Sequence, residues 1–294
     1  GRLWSAELIA NSFVGPPLGA WLLVGVFALP FFVDAATFAV SAALIAMISL
    51  PLTATGSRSS PAGSAVDHAV SGGGGWTADI KEGFLWLWHH EFLRSLAVIL
   101  GLLNMLGTLS AASLVLFAQE ELSTSPTEFA VMTIGSAVGG VVGGWTASAI
   151  ARRIGSGPSL WLTLIGGAVT GIVVGFTSSW IVVAIMFGLF MLLAVLWNVI
   201  TVSLRQSIIP DEILGRVNSV YRFFAWGMMP IGAMLGGILI AAVDAVGSRS
   251  VALRSPWLVA GVAHLLLLAY AGRKLTTERI EAARAGGAHG AATP

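Results

Sequence analysis

The chain has 294 residues, of which 56% are hydrophobic and 10% are charged, and its net charge is +1. Its mean hydropathy is +0.88, whereas soluble domains carry about 25% charged residues. This composition excludes an ordinary water-soluble protein and predicts a membrane protein. The near-zero net charge argues against a nucleic-acid partner. The absence of cysteine excludes disulfides, cysteine metal sites and cysteine nucleophiles.

Eight apolar stretches are long enough to cross a bilayer as helices, which takes about 20 residues each. They are apolar all round, whereas membrane β-strands alternate over segments of about ten residues. The sequence therefore predicts an all-α membrane protein with eight spans, at about 6–27, 29–51, 93–118, 127–150, 158–177, 179–203, 217–243 and 255–272.

Two polar segments interrupt this pattern. Residues 53–76 are rich in Gly, Ser, Pro and Ala and predict a disordered cytoplasmic linker, and residues 276–294 predict a short polar tail. The stretch TADIKEGFLWLWHHEFLRSL after the linker has helical spacing of apolar residues and predicts an amphipathic helix on the membrane face. The predicted domains are 1–52, the linker, 77–275 and the tail.

The distribution of basic residues predicts the orientation in the membrane. If loops alternate between sides, thirteen of the fifteen Lys and Arg residues fall on one side, and only Arg249 and Arg254 fall on the other. The second side also carries the acidic loop QEELSTSPTE. The positive-inside rule places the basic side, both chain ends and the linker in the cytoplasm.

The first twenty residues are echoed later in the chain. GRLWSAELIANSFVGPPLGA opens the sequence, and GRVNSVYRFFAWGMMPIGA runs from Gly215 to Ala233. Both copies begin at the predicted cytoplasmic face, so the repeat is parallel, as between the two halves of many secondary transporters. The second copy is preceded by four predicted spans, from about 93 to 203. This comparison, with the lack of an initiator Met, predicts that about 120 residues and four spans precede Gly1 in a twelve-span protein.

Several stretches resemble the major facilitator superfamily, in particular its bacterial exporter branch of siderophore and drug efflux proteins. They are ANSFVGPPLGAWLL, FFVDAATFAVSA, GGVVGGWTASAIARRIG and RQSIIPDEILGRVNSVYR. The resemblance covers residues 1–275. It implies a helical bundle of two six-span halves and alternating access around a central site. It further implies transport driven by a proton gradient with no bound cofactor, in a monomer of the bacterial inner membrane.

The resemblance also implies roles for small residues. Gly15, Pro16, Pro17 and Gly19 match a kinked helix that lines the path between the halves, and Pro230 and Gly232 are their counterparts in the second copy. Close helix packing at a kink is the simpler explanation, and it overlaps with the gating role.

A cytoplasmic gate is the second implied site. Gly144, Arg152 and Arg153 match the family's gating motif, but Ser148 stands where the motif has an acid. The two arginines are also consistent with simple positive-inside anchoring.

Charged residues inside spans are candidates for coupling. Asp34 lies about 7 Å into the second span from the outer side, where it could exchange protons or simply reach the interface. Arg222 and Glu7 occupy similar places in the two repeat copies and could form a bridge between halves. Snorkelling of Arg222 is the simpler alternative.

Polar residues in the spans complete the candidate set. Asn104 and Asn198 are candidates for the substrate path, and Asn104, near the middle of the third span, is the best candidate for a cavity wall. Hydrogen bonding between helices is the alternative for both and for Gln119. His264, alone in an apolar run, predicts a packed and hydrogen-bonded side chain rather than a proton carrier. His89 and His90 belong to the amphipathic helix and show no third metal ligand.

The sequence thus predicts a secondary transporter that exports a hydrophobic small molecule such as a drug or siderophore. No GxSxG, HExxH or GxxxxGK[ST] motif occurs, so no enzyme or nucleotide-driven pump is predicted. Two alternatives remain open. One is an uptake carrier of the same fold, and the other is a truncated or degenerate membrane protein that transports nothing.

Overall fold

The computed structural model describes residues 29–46, 76–210 and 212–290. The chain divides into two compact units, residues 1–73 and 74–294. Within the first unit the structure describes one helix, α1 (Leu29–Ala46), inside the predicted second span. The predicted first span and linker residues 53–75 lie outside the described residues.

The described part of the second unit consists of helices and short connections, without strands. Its long helices are α2 (Trp76–His89), α3 (Glu91–Ala111), α4 (Pro126–Ile154), α5 (Ser156–Phe176), α6 (Trp180–Ile208), α7 (Leu214–Val246), α8 (Arg249–Ala271) and α9 (Thr277–Gly290).

Six of these helices, α3 to α8, are long and apolar enough to cross a membrane. They coincide with predicted spans three to eight, so an all-α, multi-pass membrane protein is confirmed. The segment Gly215–Ala233 lies in α7, with four of these helices before it and α8 after it, as the repeat predicts.

The third span ends earlier than predicted. Helix α3 stops at Ala111, and a helical turn (Leu114–Leu116) and a π-helical turn (Phe117–Glu121) follow it. The hydroxyls of Ser110 and Ser113 donate to the carbonyls of Leu106 and Ser110 at 3.1 Å each. Such side-chain bonds compete with the helical ladder and favour a break.

A capping box in the sequence, formed by Ser125 and Glu128, marks the start of helix α4. Ser125 accepts a bond from the Glu128 amide at 3.3 Å, and the Glu128 carboxylate accepts one from the Ser125 amide at 2.8 Å. Pro126 occupies the first turn. This capping box starts the helix at Pro126, one residue before the predicted span.

The six helices pack in pairs, and in each pair glycines let the two helix backbones come into contact. Helix α4 packs along α6, α3 along α7, and α5 along α8. A Cβ at Gly139 would overlap the backbone of Gly188, and one at Gly171 would lie 2.6 Å from the Gly261 amide nitrogen. Small residues at four-residue spacing let helix backbones touch, which drives helix association in lipid.

The interhelical contacts define two ends of this bundle. One end, called here the acidic end, carries Glu120, Glu121 and Asp244. The other, called here the basic end, carries α2, α9 and most of the described Lys and Arg residues. Consecutive helices α3 to α8 therefore run in alternating directions between these ends.

Helix α2 packs against the start of α7 at the basic end. Leu87 is buried, and a Cβ at Gly83 would lie 2.8 Å from the Arg216 carbonyl carbon. The Arg216 guanidinium contacts Glu82 at 2.8 Å and Asp79 at 3.2 Å. A helix is thus present after the linker, but it ends at His89, and the predicted amphipathic stretch from Glu91 onward belongs to α3. One face of α2 packs against the bundle.

The polar tail begins with a helix that sequence reasoning did not predict. Ile280 of α9 is fully buried, and Ala283 packs against the same core. A Cβ at Gly157 would lie 2.7 Å from the Thr277 amide nitrogen, so α9 starts directly against α5. A helix this short is only marginally stable alone, so these contacts with the bundle stabilise it.

The junction of α2 and α3 supplies a pH-dependent contact. His90 is the N-cap of α3, and its Nδ1 accepts a bond from the Leu93 amide at 3.3 Å. Burial lowers the pKa of His90 below its ordinary 6.5. Only the neutral ring can accept this bond.

We expect stability to fall as the pH drops through 6.5, because the unfolded chain then binds a proton that folded His90 resists. The loss is complete once the pH is below the lowered pKa of the folded state. His90→Asn keeps a capping acceptor that does not titrate. The free energy of unfolding should therefore fall more steeply with decreasing pH, between pH 8 and 5, in the unmodified protein than in His90→Asn. An equal pH dependence in both proteins would contradict this role of His90.

Candidate functional site

Two side chains of α3 form hydrogen bonds to the backbone of α7 just before its internal proline. Asn104 Nδ2 donates to the Ala225 carbonyl at 2.8 Å, and Thr108 Oγ1 donates to the Met229 carbonyl at 2.8 Å. Pro230 lies inside α7, where it removes a ladder hydrogen bond and crowds the preceding turn. The two donors therefore fix α7 across the turn that its proline weakens.

Gly232 allows this contact. A Cβ at Gly232 would overlap the Met105 carbonyl oxygen and Thr108 Oγ1, and one at Gly236 would lie 2.5 Å from the Leu109 carbonyl oxygen. The sequence hypothesis offered packing or gating for Pro230 and Gly232. Gly232 packs, and Pro230 marks the point at which the helix can bend.

Asn104→Ala is expected to lower the free energy of unfolding by about 0.5–1.5 kcal/mol, the usual range for a hydrogen bond between membrane helices. Asn198→Ala is the matched control, because Asn198 is exposed and donates only to Ala194 of its own helix, at 3.1 Å. Denaturant titration of both purified variants measures the difference. Equal changes in the two variants would show that Asn104 does not hold α7.

Aromatic and basic side chains meet near the basic end of α6 and α7. The Arg205 guanidinium lies 4.1 Å from the centre of the Tyr221 ring, and Tyr221 is 1% exposed. The Arg222 guanidinium lies 4.4 Å from the centre of the Trp226 ring, at the bundle surface. Arg222 thus has a cation–π contact, and its predicted partner Glu7 lies outside the described residues.

The predicted gate residues lie on one helix. Gly144 is exposed, and a Cβ there would meet nothing within 4 Å. Arg152 and Arg153 are exposed in the last turn of α4, where a positive charge suits the helix dipole. Gly155 then ends the helix with a φ of 85°.

Four further predicted positions, Gly15, Pro16, Pro17 and Gly19, lie outside the described residues. Asp34 lies within α1. Exposed Gln119 is part of the π-helical turn.

The acidic end holds two ion pairs that differ in burial. Arg249 contacts exposed Glu120 at 2.9 Å and Asp244 at 3.2 Å. The hydrogen bond from Arg249 lowers the pKa of Glu120, so this pair stays charged at neutral pH. Arg254 contacts Glu121 at 2.8 Å, with only 17% and 12% of the two side chains exposed.

Carboxylates of the acidic loop thus neutralise both arginines that the sequence assigns to the outer side. The pairs tie the segment after α3 to the start of α8.

A partly open cavity of about 210 Å³ lies between α3, α4, α5, α6 and α8. Along α5 it lies between buried Leu164 and Val174, which belong to two separate core clusters. Its lining is largely apolar and includes Leu106, Phe187 and Phe190.

Five lining residues are polar or can donate hydrogen bonds. They are Ser110, Ser136, Thr170, Trp257 and His264. His264 is 3% exposed, and its Nδ1 lies 2.7 Å from the Ala260 carbonyl. The interpretation of His264 as a packed and hydrogen-bonded side chain is confirmed.

The cavity contains none of the predicted path residues. His264 was the one lining residue that stood out in the sequence, as a polar group in an apolar run. Thr170 and Trp257 gave no such signal, since threonine and tryptophan are ordinary components of membrane helices.

Comparisons of the chain with protein-family models, with curated proteins and with solved structures find no match.

Proposed function

We propose that this protein is a secondary active transporter of the bacterial inner membrane that exports a hydrophobic small molecule, such as a drug or siderophore, in exchange for protons. The observation that carries the proposal is the position of the repeat. Its second copy forms the first part of α7, the fifth of six alternating apolar helices. A parallel repeat of such units is the architecture of carriers that work by alternating access.

The proposed movement is centred on α7. Its Pro230 allows bending, and Asn104 and Thr108 of α3 hold the adjacent turn through α7 carbonyls. Movement of one unit against the other would then strain or release this contact. Arg222, Asp34 and Glu7 are the proposed coupling residues, because ionisable groups within spans mark ion and substrate pathways.

The test is proton-coupled flux in proteoliposomes. The full chain is reconstituted with the pH dye pyranine inside, a pH gradient is imposed, and lipophilic cationic dyes, macrolides and catecholate siderophores are added in turn. A transporter gives protein-dependent proton movement with at least one compound, and the rate falls in Asn104→Ala but not in Asn198→Ala. Proton movement that is the same in protein-free liposomes for every compound would contradict the proposal.

A further inference from the structure

Two hydrogen-bond donors that line the cavity between α3, α4, α5, α6 and α8 have no partner among the described residues. Thr170 is 4% exposed and Trp257 is 6% exposed, yet neither Thr170 Oγ1 nor Trp257 Nε1 has a hydrogen-bond partner among the described residues. A buried donor without a partner is costly, and within a membrane no bulk water can compensate it. Both residues line the cavity.

The size of the cavity limits what can satisfy these donors. A cavity of about 150 Å³ holds benzene, and a water molecule takes up about 30 Å³ of liquid. The 210 Å³ here would therefore take about seven waters. They would bond to one another, but the largely apolar lining would leave much of their hydrogen-bonding capacity unused. One apolar molecule with a single acceptor satisfies the site better.

Of the other polar side chains in the lining, Ser110 and His264 each make a hydrogen bond, and half-buried Ser136 adds a further hydroxyl. Ser110 donates to the Leu106 carbonyl at 3.1 Å, and His264 Nδ1 is bonded to Ala260. The remaining wall is formed by flat or flexible apolar side chains, among them Phe187, Phe190 and Met191. Aromatic faces and a methionine suit an aromatic ring.

We propose that this cavity is a binding site for a small aromatic molecule that carries one hydrogen-bond acceptor, which receives a bond from Trp257 Nε1 or Thr170 Oγ1. All lining residues belong to the second unit, and the proposal does not depend on the proposed transport activity.

The test uses the indole N–H group of Trp257 as its own reporter. The full chain is labelled with ¹⁵N-tryptophan in detergent, and Trp257→Phe identifies one of the eleven indole signals. The probe is acetophenone, whose carbonyl is the acceptor, and ethylbenzene is its near-isosteric control without an acceptor. Acetophenone should shift the Trp257 signal downfield and saturably. Ethylbenzene should perturb it without the downfield hydrogen-bond shift.

A glycine pair provides matched steric variants. A Cβ at Gly107, which lines the cavity, would meet nothing within 4 Å, and the same holds for Gly237, which does not line it. Gly107→Leu should fill the cavity and weaken acetophenone binding at least tenfold, whereas Gly237→Leu should change it less than twofold. Saturable binding that is equal in both variants would overturn the proposal.

Thr170→Val removes the hydroxyl but preserves the shape of the side chain. It tests the proposal independently if Gly107→Leu fails to fold. Loss of the hydroxyl should weaken acetophenone about three- to tenfold relative to ethylbenzene, if Thr170 contributes a typical hydrogen bond. The proposal is overturned if Trp257 shows no saturable response to acetophenone. It is also overturned if neither the Trp257 downfield shift nor the Thr170 effect distinguishes the two probes.

Discussion

Replacing Gly139 by alanine is expected to lower the free energy of unfolding by about 1–2 kcal/mol. The new Cβ would overlap the Gly188 backbone, and neighbouring Gly135 meets Ala184 of α6 in the same way. Backbone atoms cannot turn aside as a flexible side chain can, so α4 and α6 must separate along their length. Overpacking of this kind typically costs 1–3 kcal/mol, which outweighs the gain of about 1 kcal/mol in helix propensity.

Gly144→Ala is the control on the same helix. Gly144 is exposed, and a Cβ there meets nothing within 4 Å, so only the propensity gain remains. Its stability should equal or slightly exceed that of the unmodified protein. Unfolding in mixed micelles of a mild detergent and dodecyl sulfate measures both. Similar stability of Gly139→Ala and Gly144→Ala would mean that the glycine contact does not hold α4 to α6.

This contact also bears on the proposed mechanism. Glycine-packed pairs such as α4 with α6 and α5 with α8 bring backbones together without flexible side chains between them. The α3–α7 pair is packed through glycine in the same way, at Gly232 and Gly236, but it differs in its polar contacts. In the α3–α7 pair, the helix with Pro230 is held by hydrogen bonds to Asn104 and Thr108. Bending within the unit is therefore expected at α7.

Much of the fold could be predicted from the sequence, because apolar length and loop charge are local signals. All six helices from α3 to α8 follow from apolar runs, and the repeat locates the start of α7. The π-helical turn at Phe117–Glu121 and the helix after residue 276 could not be predicted. Their conformations depend on contacts with distant helices, such as Glu121 with Arg254.

The cavity was beyond sequence reasoning for a related reason. Its lining residues come from five helices and lie between two packed clusters. No sequence pattern within a single helix therefore indicates it. The predicted path residues were chosen for charge or polarity along one helix. This criterion selected Asn104, which does contact α7. It did not select Thr170 or Trp257, because neither residue is unusual in a membrane helix.

Replacing Arg254 by methionine is expected to destabilise the protein by about 3–5 kcal/mol. The Arg254 guanidinium donates to Glu121 at 2.8 Å, to the Gly175 and Thr177 carbonyls at 3.1 and 2.9 Å, and to Ser178 at 2.9 Å. Methionine fills similar space but leaves the largely buried Glu121 carboxylate, 12% exposed, without its cation and with the Ser250 hydroxyl as its remaining side-chain partner. Breaking a buried pair by removing one partner typically costs this much.

Arg249→Met is the control for charge alone, since it also removes one arginine from the acidic end. Its partners Glu120 and Asp244 are exposed, and water solvates them when the arginine is lost. The change in unfolding free energy should therefore be much smaller than for Arg254→Met. Comparable losses would show that total charge at this end, rather than the buried contact, sets the stability.

The double variant Glu121→Gln, Arg254→Met separates the two parts of the Arg254 effect. If the unpaired carboxylate dominates, removing its charge should make the double variant more stable than Arg254→Met alone. If the bonds to the Gly175 and Thr177 carbonyls dominate, Glu121→Gln gives no recovery. Recovery is the expected result, because Glu121 is 12% exposed, whereas the two carbonyls belong to the end of a helix and its cap, where unpaired acceptors are common.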